Sequence, residues 1–260
     1  MSCLPQHGRV QCVTCFDNNQ VIFDRTQRTE GNWRITANPL AWGNSDAEIV
    51  ILGFSKGPTQ AGALANSSHD EIAYKGSRLN VGKILAHIGL INKSDDNIQL
   101  KNAVDKAIAD KNGRFHFSSF IRCTVERYDI KTKKWKGSGG GMLDKFVSTD
   151  FGGEVSKQCA SRFLGDLPSK TKLVVMFGMG TNQNYVRESY KLFQLAIPSN
   201  WRWLKEGISY TNDKITVVHV EHFASQGSLI PKWLGEIKDD RSRLGDMARS
   251  SVEHALKVTT

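Results

Sequence analysis

The sequence predicts a mixed α/β domain of three layers, α/β/α, in which a mostly parallel central sheet lies between two layers of helices. Two observations predict this class. Short apolar runs that end in glycine, at residues 47–53 and 172–178, are typical of strands buried on both faces of a parallel sheet. Segments with apolar residues at helical spacing alternate with such runs, which favours a sheet covered by helices on both sides.

The bulk composition limits the domain count and the class of partner. A chain of 260 residues, 39% of them hydrophobic, can bury one substantial core, so we expect a single domain over residues 1–260. The absence of a leading apolar run and of an eighteen-residue apolar stretch predicts a cytoplasmic protein without membrane contact, and we expect a monomer. The net charge of +9 favours a polyanionic partner, with DNA or another nucleic acid as the leading candidate.

The first elements are an irregular segment and a buried strand. Residues 1–45 lack a periodic pattern and contain turn-forming residues, so we interpret them as an irregular N-terminal strap that carries Cys12 and Cys15. Residues 47–53 predict the first buried strand. Residues 54–59 then form a loop at its carboxyl end, the edge at which open α/β sheets bind ligands.

The remaining elements alternate between the two periodicities. Helices are predicted at residues 80–89, 95–110, 154–164, 183–194 and 239–256, and further strands at residues 115–123, 172–178 and 214–221. Residues 127–153 form a basic, glycine-rich insertion, whose segment 131–141 we expect to be an exposed flexible loop.

Four cysteines stand at places that can meet in space: Cys12, Cys15, Cys123 and Cys159. In a reducing cytosol a Cys-x-x-Cys pair is more often a metal or redox pair than half of a disulfide framework. We therefore expect these four thiols to hold a metal centre that pins the strap against the core. Four thiolates suit either tetrahedral Zn or a [4Fe-4S] cluster. The alternative is that Cys123 and Cys159 are core residues.

The order of these segments resembles the uracil-DNA glycosylase superfamily, and within it the iron-sulfur branches. The residues that carry the resemblance are Cys12 and Cys15, the loop 53–57, Tyr74-Lys75-Gly76, Ser119 four positions before Cys123, Cys159 ahead of Phe163-Leu164, and His222-Phe223-Ala224. The resemblance spans residues 10–235. It implies a uracil-DNA glycosylase-like fold, a [4Fe-4S] cluster rather than Zn, and DNA glycosylase activity.

The chain also departs from the family pattern. The differences are Phe54 in place of a glutamate, Ser77 in place of an acid, Ser119 in place of the asparagine that reads the uracil edge, and Phe223 in place of a proline. The interval from Cys123 to Cys159 is also longer than is usual in the family. These departures point away from ordinary uracil specificity.

Base excision passes through a cationic sugar and an anionic leaving base, so an enzyme must stabilise charge on the base and supply water to the sugar. His222 is the candidate for the first task, as a neutral imidazole that donates to a base carbonyl. The alternative is a capping or core histidine. Ser55 or Asp70 is the candidate that guides water, and Glu71 and Glu221 are further options.

An extruded base needs a pocket with stacking and edge contacts. Phe54 or Tyr74 is expected to stack on the base and Ser119 to bind its edge, although both aromatic residues also suit plain core packing. The remaining candidates contact DNA: Lys56, Lys133 and Lys134 at phosphates, and Leu229 as a wedge in the vacated stack. Amine chemistry by Lys56 is a lesser option, and a basic run is often merely solvated.

The resemblance, read with these residues, therefore implies a DNA glycosylase that flips and excises a modified or damaged base, and the departures favour a bulky hypermodified cytosine of phage DNA, removed in antiviral defence. One alternative is an ordinary uracil-DNA glycosylase of base-excision repair. Two others are a catalytically silent DNA-binding module on the same scaffold and a small zinc-bound nucleotide hydrolase.

Overall fold

A computed structural model describes residues 4–16, 20–137 and 142–257. Its main feature is an eight-stranded sheet. The strands of this sheet are β1 (Gly8–Arg9), β4 (Leu40–Gly43), β5 (Ile49–Gly53), β6 (Phe115–Ser119), β9 (Leu173–Phe177), β10 (Arg202–Lys205), β11 (Ser209–Thr211) and β12 (Thr216–Val220). Their order is β1-β4-β6-β5-β9-β12-β11-β10. The four central strands run parallel, whereas the outer pairs are antiparallel.

A second, antiparallel sheet holds the other four strands. These are β2 (Gln27–Glu30), β3 (Trp33–Thr36), β7 (Thr124–Asp129) and β8 (Lys134–Gly137), in the order β2-β3-β7-β8. Because β7 follows β6 after only a short connection, this small sheet begins at the carboxyl edge of the large one.

Helices cover both faces of the large sheet. They are α1 (Pro58–Ala63), α2 (His69–Ile72), α3 (Arg78–His87), α4 (Asn97–Ala109), α5 (Leu143–Val147), α6 (Asp150–Leu164), α7 (Asn184–Ala196), α8 (Leu229–Trp233) and α9 (Asp240–Lys257). Helices α5, α6 and α7 contact one another, while α3 packs on α4 and α9 packs on β9 and β12. Right-handed crossovers place the β5-to-β6 and β9-to-β12 connections on opposite faces. In the described part of the chain, no helix combines the length and apolar character needed to cross a bilayer.

The parallel core confirms the predicted α/β class. Every residue of β5 and of β9 is buried, as expected for strands covered on both faces. The chain leaves β5 toward β6 and leaves β9 toward β12, in opposite directions across the sheet. The carboxyl ends of β5 and β9 therefore mark the topological switch point, the position at which sheets of this kind bind ligands.

Three expectations are corrected. The strap is not irregular, since it supplies β1 to β4, which pair within both sheets. Their short, mixed-polarity sequences carry no clear period, so pattern alone could not reveal them. The sheet is parallel only in its four central strands. Part of the predicted loop at 131–141 is instead β8, paired with β7 in a hairpin, and residues 138–141 lie outside the described residues.

Candidate metal centre and sheet-edge site

The structure brings the four predicted thiols together. Cys12 and Cys15 follow β1, Cys123 lies just beyond β6, and Cys159 lies within α6. The Cys15 thiol donates to Oε1 of Gln158 at 3.2 Å, and it also lies within hydrogen-bonding reach of the Cys159 sulfur. Cys123 is close enough to Cys159 and Cys12 for their charges to act on it. All four cysteines are free of disulfides.

Backbone N–H groups also point at these sulfur atoms. The N–H of Asn38 donates to Cys123, and that of Arg122 donates to Cys159. The hydrogen bond from Cys15, aided by the Arg122 N–H and by nearby positive charge, lowers the pKa of Cys159 to about 7. Burial raises the pKa of Cys123 to about 12. Donors and positive charge therefore surround a cluster in which Cys15, Cys123 and Cys159 are buried and Cys12 is partly exposed.

Lys56 belongs to this cluster and not to a DNA surface, which corrects its predicted role as a phosphate contact. Its side chain is 2% exposed, and its ammonium group donates to the carbonyl oxygen of Arg122. Burial lowers the pKa of Lys56 to about 8, while the neighbouring Cys123 acts in the opposite direction. The residue follows β5 directly, so the turn after that strand carries its side chain inward beneath the strap.

Arg122 is the second buried cation. It is 1% exposed, and its guanidinium carbon lies 4.6 Å from the centre of the Phe163 ring. Within the described residues none of its three side-chain nitrogen atoms has a hydrogen-bond partner. Burial lowers the pKa of Arg122 to about 10, and the charges of Cys159 and Cys12 oppose this shift.

The residues at this cluster fit a metal centre. Four thiolates around Zn²⁺ or a [4Fe-4S]²⁺ core carry a formal charge of about −2, which two buried cations would balance. A closed zinc tetrahedron places its sulfur atoms about 3.8 Å apart, from Zn–S bonds of about 2.3 Å. Among the described residues, the groups of three or more ligand atoms that lie within 4.8 Å of one another include no cysteine triplet. Zn²⁺ and a [4Fe-4S] cluster would both be held by the same four thiolates.

One other group of possible ligands comprises His7, His69 and Asp70, but its hydrogen bonds do not suit a metal. Nδ1 of His7 accepts from the N–H of Gly43 at 3.2 Å, and Nε2 lies 2.9 Å from Oδ1 of Asp70. A neutral His7 with Nδ1 as acceptor carries its proton on Nε2, so neither nitrogen has a lone pair to offer. The trio is a hydrogen-bonded cluster.

That contact also corrects the prediction that Asp70 guides water beside His222. The Asp70 carboxylate is held by His7 next to β4, whereas His222 follows β12. Four strand spacings separate β4 from β12, which amounts to about 19 Å. With its carboxylate paired to His7, Asp70 is not directed toward His222.

His222 lies at the carboxyl edge with one tautomer fixed. Its Nδ1 accepts from the N–H of Ala224 at 3.1 Å, and its ring stacks on Phe223 with centroids 4.4 Å apart. Burial lowers the pKa of His222, although the charge of Glu221 acts in the opposite direction. The imidazole is therefore neutral at pH 7 and carries its proton on Nε2, where it can donate to a ligand.

Glu221 holds this turn and is not available as a base for water. Its Oε2 pairs with Arg241 at 2.6 Å, and its Oε1 accepts from Ser225 at 2.7 Å and from the N–H of His222 at 3.0 Å. On the other side, Nδ2 of Asn80 donates to the carbonyl oxygen of Phe223 at 2.9 Å. His222 and Phe223 are therefore clamped between α3 and α9.

The predicted base-binding residues divide into two groups. Phe54 is buried edge-on against Phe146 and Tyr185, so it is not free to stack on a base in this arrangement. Tyr74 lies against Phe223 with centroids 5.0 Å apart, and its φ of 51° is left-handed. Its buried hydroxyl has no hydrogen-bond partner among the described residues.

Ser119 and Ser55 also lie at this edge. Ser119 is buried at the end of β6 and pairs in register with Gly53. A side chain on Gly53 would meet the Phe223 ring at 4.0 Å, so the end of β5 approaches the His222 turn. Ser55 is half-buried two residues further along. The edge therefore presents small polar groups beside an aromatic wall.

The predicted DNA contacts other than Lys56 are exposed. Lys133 and Lys134 lie in the β7–β8 hairpin, next to Trp135, over which the Arg34 guanidinium packs at 4.4 Å. Leu229 is 38% exposed at the start of α8. The residues thus present positive charge and one apolar side chain to solvent.

A scan against protein-family models finds no match to this sequence, and a search of curated proteins finds none either.

Arg122 and Asn38 were missed by sequence reasoning. Their role depends on distant thiols, although the position of Arg122 immediately before a predicted cysteine ligand was an available signal.

Proposed function

We propose that this protein is a DNA glycosylase on a uracil-DNA glycosylase-like scaffold, which excises a flipped, modified or damaged base and carries a four-cysteine metal centre. The observation that carries the proposal is the convergence of Cys12, Cys15, Cys123 and Cys159 at the same sheet edge that bears His222. This arrangement joins the cysteine strap to the ligand-binding edge of the sheet.

The reaction breaks the bond between the base nitrogen and C1′ of the sugar. The bonding electrons leave with the base, water adds its oxygen to C1′, and the water proton passes to solvent or to the base. Nε2–H of His222 donates to the base as negative charge develops there, so the fixed tautomer stabilises the transition state. Ser55 is the remaining predicted residue at this edge that can orient the water.

Cys12, Cys15, Cys123 and Cys159 would hold the metal centre. When bound, the centre supplies structural cross-linking and not chemistry at the sugar, because it joins the strap to β6 and α6. The strap strands β3 and β4 pair with β7 and β6. A metal centre that fixes the strap would therefore also fix β6, the strand that ends at Ser119.

The small side chain of Ser119 favours a bulky base over uracil. It leaves more room than the asparagine expected in a uracil-reading pocket, and the neighbouring aromatic wall of Tyr74 and Phe223 supplies an apolar surface. Exposed Lys133 and Lys134 would contact DNA phosphates, and Leu229 would fill the space that the flipped base leaves between its neighbours in the duplex.

The test is incubation with duplexes that contain glucosylated hydroxymethylcytosine, uracil or only normal bases, followed by an assay for abasic sites. We expect abasic product from the glucosylated duplex. Product from the uracil duplex alone would establish the ordinary uracil enzyme in its place. Free base released without DNA, from nucleotides only, would instead indicate a nucleotide hydrolase.

A catalytically silent DNA-binding module is the second candidate, and a specific observation favours it. Glu221 is engaged by Arg241 and Ser225, and Asp70 is paired with His7, so neither of these two carboxylates is free to activate water. Tight binding to DNA without abasic product from any duplex would support this module and contradict the glycosylase.

A further inference from the structure

Two cations are buried beside the thiols with no acidic side chain paired to them. Arg122 and Lys56 are each at most 2% exposed. The guanidinium of Arg122 has no hydrogen-bond partner among the described residues, and the ion pairs found there include neither cation. A buried, unpaired charge is costly, so a fold that retains two of them side by side needs a compensating negative charge nearby.

The four sulfur atoms are the groups in position to carry that charge. Cys159 and Cys12 are the groups whose charges favour the charged form of Arg122. For Lys56 the charge of Cys123 comes first, and that of Asp24 adds to it more weakly. Neutral thiols would therefore leave Arg122 uncompensated and Lys56 with the charge of Asp24 alone. Four thiolates bound to a metal carry two negative charges in excess of the metal, which matches the two cations.

We infer that Arg122 and Lys56 form a built-in counter-charge that makes this cluster specific for a dianionic four-thiolate metal centre. The inference rests on the metal centre of the proposed function, but it does not depend on the excised base. Arg122 and Lys56 are positioning residues that act through the cysteines and do not touch DNA.

The metal-bound and the metal-free protein should respond in opposite directions to the same substitution. Arg122→Met removes a cation that the loaded centre needs, so bound metal is lost faster to a chelator, by about a hundredfold. In the metal-free protein the same change removes a buried guanidinium that has no hydrogen-bond partner and no acidic side chain beside it, so the melting temperature rises. If Arg122 were purely structural, its substitution would lower both the retention of metal and the melting temperature of the metal-free protein.

The experiment compares wild type, Arg122→Met, Arg122→Lys and Lys56→Met, each purified without oxygen. Iron, sulfide and zinc per chain, the rate of metal loss to a chelator, and the melting temperature of the metal-free form are measured. Arg122→Lys keeps the charge and should lie near wild type. Lys56→Met should lose metal faster than wild type, as Arg122→Met does. This second variant keeps the test decisive if Arg122→Met does not fold.

Arg162→Met is the matched control, since Arg162 is an exposed arginine that also contacts Phe163 and donates to Thr14 of the strap. We expect it to retain metal as wild type does. Metal retention as slow to decay as in wild type in both Arg122→Met and Lys56→Met, or a metal-free form destabilised by Arg122→Met, would overturn the inference. A wild type that binds neither iron nor zinc would remove the metal centre itself, whereas metal binding without base excision would contradict only the proposed activity.

Discussion

At the scale of single residues, the fixed tautomer of His222 is the feature with the clearest chemical consequence. Because the Ala224 N–H occupies Nδ1 and burial disfavours the charged ring, the proton on Nε2 is available as a donor at pH 7. The imidazole therefore needs no change of protonation before it meets a base.

His222→Ala should reduce excision by about 10²- to 10³-fold, the cost of losing one preorganised donor to a developing anion. The affinity for DNA should stay the same, because phosphate contacts supply most of it. Single-turnover abasic-site assays and binding titrations measure the two effects. His254→Ala, at an exposed position on α9, is the control, and an unchanged excision rate in His222→Ala would remove this assignment.

Tyr74 combines a left-handed backbone with a buried hydroxyl that has no partner in the described structure. Tyr74→Phe should therefore leave the free energy of unfolding unchanged or raise it by about 1 kcal/mol, because an unsatisfied buried polar group is removed. If the hydroxyl binds the flipped base, excision falls at the same time. Chemical denaturation and excision assays check the pair, and a clear loss of stability would show that the hydroxyl is satisfied in the folded protein.

Residue positions were predictable where they depend on neighbours along the chain. Cys123, Cys159 and His222 lie just beyond a strand or on a helix as their spacing indicated, and their roles stay predictions. Lys56 and Phe54 were misjudged, since their burial depends on the strap and on α5, which approach from distant parts of the chain.

At the scale of elements, the close approach of α5 to α6 sets the position of Cys159. A Cβ on Gly152 would lie 1.9 Å from the carbonyl oxygen of Phe146, whereas a Cβ on Gly153 would meet its nearest atom at 3.3 Å. The glycine at 152 is therefore required by packing, and α6 cannot keep its place with a side chain there.

Gly152→Ala should lower the free energy of unfolding by about 1–3 kcal/mol, the usual cost of overpacking, and should loosen the Cys159 side of the cluster. Gly153→Ala is the matched control, and we expect it to be neutral or slightly stabilising because alanine favours helix. Melting temperatures and bound metal are compared for both variants. Equal behaviour of the two would show that α5 and α6 can separate without cost.

The β7–β8 hairpin presents its lysines on an element that sequence pattern alone assigned to a loop. A strand of alternating lysine and tryptophan next to a glycine run has a weak signal, and β8 forms because β7 offers it a paired edge. The parallel strands were predictable since burial on both faces leaves an unbroken apolar run.

Lys133→Gln with Lys134→Gln should reduce the slope of log affinity against log salt by about 0.9 for each phosphate contact that is lost. Titrations with duplex DNA at several salt concentrations measure this slope. Lys170→Gln is the control, because Lys170 lies on the opposite, amino side of the sheet and pairs with Asp46. A slope unchanged in the hairpin variant would place the DNA surface elsewhere.

At the scale of the whole molecule, buried neutral histidines make the fold sensitive to acid. Burial lowers the pKa of His116 to about 3 and that of His219 to about 4, from 6.5. Between these values and 6.5 the unfolded chain binds protons that the folded chain does not. Stability is therefore complete above pH 6.5 and falls as the pH drops below it.

His116→Gln should flatten this dependence, because each such histidine contributes up to about 1.4 kcal/mol per pH unit within its window. The free energy of unfolding of the metal-free protein is measured by denaturant titration at about pH 7.5 and about pH 5. His254→Gln, which changes an exposed histidine, should keep the wild-type slope. Parallel curves for wild type and His116→Gln would show that His116 is protonated in the folded state.

The strap lies at the start of the chain, yet β4 pairs with β6 and β3 with β7. During synthesis these first strands leave the ribosome long before their partners, and the last thiol of the cluster emerges more than a hundred residues after the second. Until those partners are made, these strands have unpaired edges and the first thiols are exposed, a state that is prone to aggregation and oxidation. For the proposed metal centre, the supply of iron or zinc during synthesis would then set how much of the new chain matures.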